Sequence, residues 1–283
     1  MHLAASRLRR LSSALLTATA FLVAGCSAPA HEDDDSPSPD LASFFGEIDG
    51  TFVLLDGRTG RAVRHDPARA RTGYLPASTF KIPNTLIALE TGIATGPDLA
   101  LAWDSIAAPR QAWWPQSWAR DHALRTTLPA SVIWFYQELA RRTRPERMQA
   151  YLERFGFGNR DISGGIDTFW LTGGLRISAD EQVEFLRRFY FGDLGVSDAS
   201  TRTVKELLVL EETPSYRLSG KTGWAGLGVE DGPQIGWFVG YLERGGDVHF
   251  FATNIDIRQS GDAAARLSIT KAILRELGLI DDG

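Results

Sequence analysis

The stretch QIGWFVGYLERGGDVHFFATNID, residues 234 to 256, constrains the fold more than any other part of the chain. Two runs rich in aromatic and β-branched residues flank the turn Arg244-Gly245-Gly246, which predicts two antiparallel strands. YRLSGKTGW just before them reads as a third strand, and TFVLLDGRTGRAVRHD near the other end as two short strands around Asp56, Gly57 and Gly60. Helical signals fill the middle. Ser178 and Glu181 make a capping-box pair, Val183, Leu186 and Phe189 repeat at helical spacing, and Gly192 stands where a C′ glycine belongs. SVIWFYQELARR, PERMQAYLERF between Pro145 and Gly156, and Asp262 to Leu277 are further helix candidates. The expected fold is therefore α/β of the α+β type: one antiparallel sheet from N- and C-terminal segments, flanked by helices, with an inserted mainly helical lobe.

The first forty residues belong to a different regime. Arg7, Arg9 and Arg10 precede the apolar run LSSALLTATAFLVAG, too short for a membrane span and of the kind that directs export. LVAGC resembles the lipobox of bacterial lipoproteins, so residues 1–25 are expected to be a signal peptide and Cys26 the lipidated mature N-terminus. Cys26 is the single cysteine, so no intramolecular disulfide can hold the exported domain. Residues 26–40 are acidic, proline-bearing and poor in large apolar residues, a composition that suits a flexible tether to the domain at 41–283. Loss of residues 1–25 removes three arginines and no acid, moving the formal charge from −5 to −5 − 3 = −8, the wrong sign for a nucleic-acid binder.

Lysine is scarce: of 30 basic residues only Lys81, Lys205, Lys221 and Lys271 are lysines. Two of them stand in suggestive settings. SGKTG at 219–223 mimics a P-loop, but Ser215 occupies the place of its first glycine and no helix pattern follows. In PASTFKIPNT, Ser78 and Lys81 are three apart on one face of a helical turn, which Pro83 makes irregular or 3₁₀-like. A serine at a helix start has unpaired N–H groups nearby, and a buried lysine, unlike an arginine, can become neutral and serve as its base. The five histidines show no metal-ligand spacing.

The ordered blocks PASTFKIPNT, SVIWFYQELAR, FGNRDISGGIDTFWL, RISADEQVEFL, SGKTGW and AARLSITK resemble those of class D, oxacillinase-type serine β-lactamases, over most of residues 44–280. The resemblance implies a small-molecule β-lactam substrate, with Ser78 as nucleophile and Lys81, N-carboxylated by carbon dioxide, as general base. It implies no metal and no other cofactor. Trp170 is expected to donate its indole N–H to the carbamate, and Ser131 to pass a proton toward the ring nitrogen. Lys221 would place a charge near Ser131, Thr222 and Arg266 would bind the substrate carboxylate, and Gly223 would leave room for the ligand. The backbone N–H groups of Ser78 and Trp224 would form the oxyanion hole, and Trp118 would line the cleft mouth.

Two departures stand out. Ile133 enlarges the apolar residue of the S-x-V motif, and F-G-N at 157–159 replaces Y-G-N, removing a hydroxyl. The rival reading is a penicillin-binding transpeptidase or a β-lactam sensor that acylates and deacylates slowly. Apolar Ile133, where transpeptidases carry asparagine and sensors a polar residue, argues against both. Exported and held to the membrane only through its lipid, the protein is expected to work in the cell envelope. Substrate preference and oligomeric state are not legible in these motifs.

Overall fold

The computed structural model describes residues 40–227 and 234–281. The expected signal segment, Cys26 and all but the last residue of the expected tether lie outside the described residues. The domain opens with β1 (Gly50–Asp56) and β2 (Ala62–His65), a short α1 (Pro67–Ala70), and a 3₁₀ turn (Ala77–Phe80) running straight into α2 (Lys81–Glu90). Strands β3 (Ala100–Leu101) and β4 (His122–Ala123) pair as a small ribbon ahead of α3 (Leu124–Ala130), α4 (Ile133–Thr143) and α5 (Pro145–Phe155). Then come α6 (Ala179–Phe191), α7 (Asp198–Leu208) and β5 (Val209–Glu212), followed by β6 (Arg217–Ala225), β7 (Gln234–Arg244), β8 (Asp247–Ile257) and α8 (Ala265–Glu276).

The six-stranded sheet has the order β2-β1-β8-β7-β6-β5, with every neighbour antiparallel. β1 pairs with β8, so the two ends of the chain share one sheet as the strand pattern predicts. Successive residues of β1, β7 and β8 alternate between two cores. Phe52, Leu54, Phe238 and Phe251 pack with Ile269, Ile273 and Leu274 of α8, whereas Val53, Trp237, Val239 and Phe250 pack with the helical lobe. A sheet buried on both faces explains why QIGWFVGYLE is apolar at nearly every position instead of alternating.

Local signals account for the helices that position the site. In α6 the Ser178 hydroxyl accepts from the Glu181 N–H and the Glu181 carboxylate accepts from the Ser178 N–H, while Gly192 closes the other end at φ 82°. Pro83 falls in the first turn of α2, where no intrahelical N–H is missed, so the helix begins at Lys81, earlier than the proline suggests. SVI does not begin α4 at its serine. Ser131 is left-handed at φ 59°, a corner between α3 and α4. Phe157 is buried edge-on against Phe80 and Phe185, and Gly158 cannot be replaced without meeting the Arg176 carbonyl, so F-G-N shapes the fold behind the site. None of the described helices is long and apolar enough to cross a membrane.

Candidate active site

A cavity of about 540 Å³ opens between the 3₁₀ turn, strand β6, the α3–α4 corner and the start of α8. Ser78, Ser131, Ile133, Thr222, Gly223, Trp224 and Arg266 line it, together with Trp113, Trp114 and Trp118 from the segment before β4. The expected residues thus converge from five separated segments. Lys81, Lys221 and Trp170 lie behind the wall and are almost wholly excluded from solvent.

Ser78 sits near the N-terminus of the continuous 3₁₀–α2 segment, so the helix dipole places positive potential at its backbone. One turn on, Lys81 Nζ lies 2.6 Å from Ser78 Oγ. Burial pushes the Lys81 pKa well below its usual value, and the like charge of Lys221 pushes in the same direction. Lys221, on β6, is itself lowered to about 7, first by burial and then by Arg266. Its Nζ donates to the Thr222 carbonyl at 2.9 Å. Arg266 is lowered to about 10 by burial, and its Nε and Nη1 are buried with no acceptor. Its guanidinium stands 5.6 Å from the Trp224 ring centroid. Lys221 and Arg266, the latter with two buried nitrogens lacking an acceptor, suit an anionic ligand, and a hydroxyl beside a neutralised amine suits proton removal.

Trp170 stacks on Phe80 at 5.2 Å, and its indole N–H is a second buried donor without a partner. Leaving such a group unsatisfied costs roughly 1–3 kcal/mol, which a hydrogen-bond acceptor placed against it would relieve. Gly223 is close-packed for a visible reason: a Cβ there would stand 2.9 Å from the Pro76 carbonyl oxygen, so the strand meets the backbone of the Ser78 turn directly. Trp118 does more than line the mouth. Its Nε1 donates to the Ala130 carbonyl at 2.9 Å and its carbonyl accepts from Trp134 Nε1 at 2.8 Å, which ties the mouth to the residue before Ser131.

Trp113 and Trp114 lean on Trp118 with ring centroids 6.1 and 5.8 Å away, forming an aromatic wall. Arg141 and Asp167, paired at 2.7 Å, line the cavity too and were not singled out from the sequence. An arginine in a helix and an aspartate in a loop carry no spacing signal, so only the fold shows that they share the cavity.

Comparison with known proteins agrees with this geometry. Residues 50–277 match the family model described as the penicillin binding protein transpeptidase domain. Beta-lactamase OXA-10 of Pseudomonas aeruginosa is 43% identical over 233 residues, 82% of this chain and 86% of its own. Beta-lactamase OXA-48 of Klebsiella pneumoniae is 39% identical over 269 residues, 94% of this chain and 98% of its own. A crystal structure of the class D β-lactamase YbXI from Nostoc superposes with a TM-score of 0.80 at 42% identity, covering 85% of this chain and 99% of that one.

Proposed function

The chain belongs to the class D serine β-lactamases, hydrolases of β-lactams, and from that premise we propose that it turns over through an acyl-enzyme on Ser78, with Lys81 carboxylated on Nζ. The carrying observation is the pair itself: a fully buried lysine 2.6 Å from the serine hydroxyl, its charged form disfavoured by burial and by Lys221. A neutral amine is what captures carbon dioxide, losing one proton as the N–C bond forms. The unpartnered Trp170 N–H is a donor of the kind the resulting anion requires, so the residues present fit the modification. Carboxylated, Lys81 supplies a general base for acylation and deacylation alike.

The remaining roles are those the family resemblance implies. Ser78 Oγ attacks the lactam carbonyl, whose oxygen is received by the backbone N–H groups of Ser78 and Trp224. The close approach of the 3₁₀ turn and β6 at Gly223 supports that reading. Ser131, in its left-handed corner, relays to the departing ring nitrogen the proton that the base removed from Ser78, taking one in as it gives one up, and Lys221 lends its charge nearby. Thr222 and the two open nitrogens of Arg266 take the substrate carboxylate. Ile133 keeps the wall apolar. We also propose that residues 1–25 direct export and that Cys26 carries the lipid of an envelope-anchored enzyme, tethered by residues 26–40.

The test mixes purified protein with a penicillin while bicarbonate is varied. Multiple turnover that rises with bicarbonate supports the reading. A single stoichiometric burst leaving a stable adduct would instead assign a slow-deacylating penicillin-binding protein.

A further inference from the structure

The turn that carries Ser78 is held from behind by a hydrogen-bond chain that begins on α6. Gln182, 1% exposed, donates from Nε2 to the Thr79 hydroxyl at 2.9 Å, and Thr79 Oγ1 donates to the Pro76 carbonyl at 2.8 Å. The direction of the chain is fixed. A carbonyl can only accept, so the Thr79 proton is committed to Pro76 and the oxygen can only receive, which requires an amide NH₂ at position 182. Pro76 and Thr79 bracket the nucleophile, and the Pro76 carbonyl is the atom that would meet a Cβ on Gly223. The turn also holds Ala77 at φ 48°, a costly conformation for a residue with a Cβ. The same helix is tied to the approach to the turn just before its N-cap, where Tyr74 and Ile177 exchange backbone hydrogen bonds at 2.9 Å.

We propose that Gln182 is a positioning residue for the nucleophile: through Thr79 and the Pro76 carbonyl it sets where the Ser78 N–H stands against β6. The proposal rests on Ser78 being the nucleophile, as argued above.

The test measures acylation by a slow penicillin in rapid-mixing experiments, normalised to the fraction of sites that intact mass shows can be acylated. Gln182→Leu removes the donor, Gln182→Met does so at nearly equal length, Thr79→Val removes the hydroxyl that both links share, and Thr79→Ser preserves it. The acylation rate constant per competent site is expected to fall about tenfold in the first three, a modest misplacement on the scale of oriented reactions. Thr79→Ser should match the parent, and the Gln182→Leu/Thr79→Val double variant should be no slower than either single one. Initial noncovalent affinity and the bicarbonate concentration for half-maximal rate should not move. Loss confined to the competent fraction or to thermal stability overturns the proposal, because it marks a merely structural glutamine. A Thr79→Ser variant as slow as Thr79→Val overturns it as well, and so does a shifted bicarbonate requirement. If the parent itself forms no adduct at Ser78 while Ser78→Ala behaves identically, the nucleophile assignment fails and this proposal falls with it.

Discussion

Lys81 Nζ stands 2.6 Å from Ser78 Oγ, and the lysine that supplies it is wholly buried. Burying a charge without a partner is expensive, so retaining a lysine here costs stability that an apolar residue would not. Lys81→Met should therefore leave the melting temperature equal or higher while turnover falls by roughly 10²–10⁴, the usual share of a general base. Calorimetry beside a penicillin assay separates the two effects. Loss of both together would mean that the lysine serves folding instead.

Trp170→Phe keeps an aromatic ring beside Phe80 while removing the indole N–H, at the cost of some buried ring volume that added bicarbonate cannot restore. A hydrogen bond to a charged acceptor is worth about 1.5–3 kcal/mol, so the affinity of Lys81 for carbon dioxide should drop roughly 10- to 100-fold. Steady turnover at ambient bicarbonate should fall and be partly restored by added bicarbonate. A rate that no bicarbonate concentration changes would detach Trp170 from the lysine.

The parts of this site legible in the sequence were those fixed by local chemistry. Ser78 and Lys81 meet because three residues make most of a turn, and α6 begins and ends where Ser178 and Gly192 require. What was not legible depends on distant pairing. Strand β5 is four residues, Val209–Glu212, too short to carry a periodicity, and exists because β6 offers it an edge. The left-handed Ser131 corner has no glycine to announce it. Gln182 carries no spacing signal of its own, and its Thr79 partner lies 103 residues away.

Lys221 gives the enzyme a stability that depends on pH. Its folded-state pKa is about 7 against 10.5, so between those values the unfolded chain holds a proton that the folded chain has released. The unfolded state then binds more protons and stability rises with pH, with a plateau below about 7. Between pH 7 and 9 the parent should gain about 2 kcal/mol relative to Lys221→Met. Urea unfolding at the two pH values measures it. Lys81 shifts in the same direction, so the variant should retain part of the slope.

Arg266 lines the cavity and holds two buried nitrogens without an acceptor. Arg266→Ala should weaken binding of carboxylate-bearing substrates by roughly 10- to 100-fold, the worth of hydrogen bonds to a charged group. The loss should fall mainly on KM, because the carboxylate is present in ground and transition states alike. A substrate analogue esterified at that carboxylate should be affected far less. Equal losses for acid and ester would place Arg266 outside the carboxylate site.

Gly223→Ala tests the spacing of the whole site with a single methyl group. The backbone there is not left-handed, so alanine introduces no φ strain, and its Cβ simply arrives 2.9 Å from the Pro76 oxygen and 3.1 Å from Thr79 Cγ2. Backbone cannot rotate aside as a flexible side chain can, so β6 and the Ser78 turn must separate. Overpacking of this kind costs typically 1–3 kcal/mol, and a displacement between the two proposed oxyanion donors should lower kcat about 10- to 100-fold. Gly261→Ala, where the added carbon meets nothing within 4 Å and φ is ordinary, is the matched control and should change neither quantity. Enzyme assays and thermal melts on the two variants decide the matter. Full activity in a folded Gly223→Ala protein would show that the oxyanion is not held between the Ser78 turn and β6.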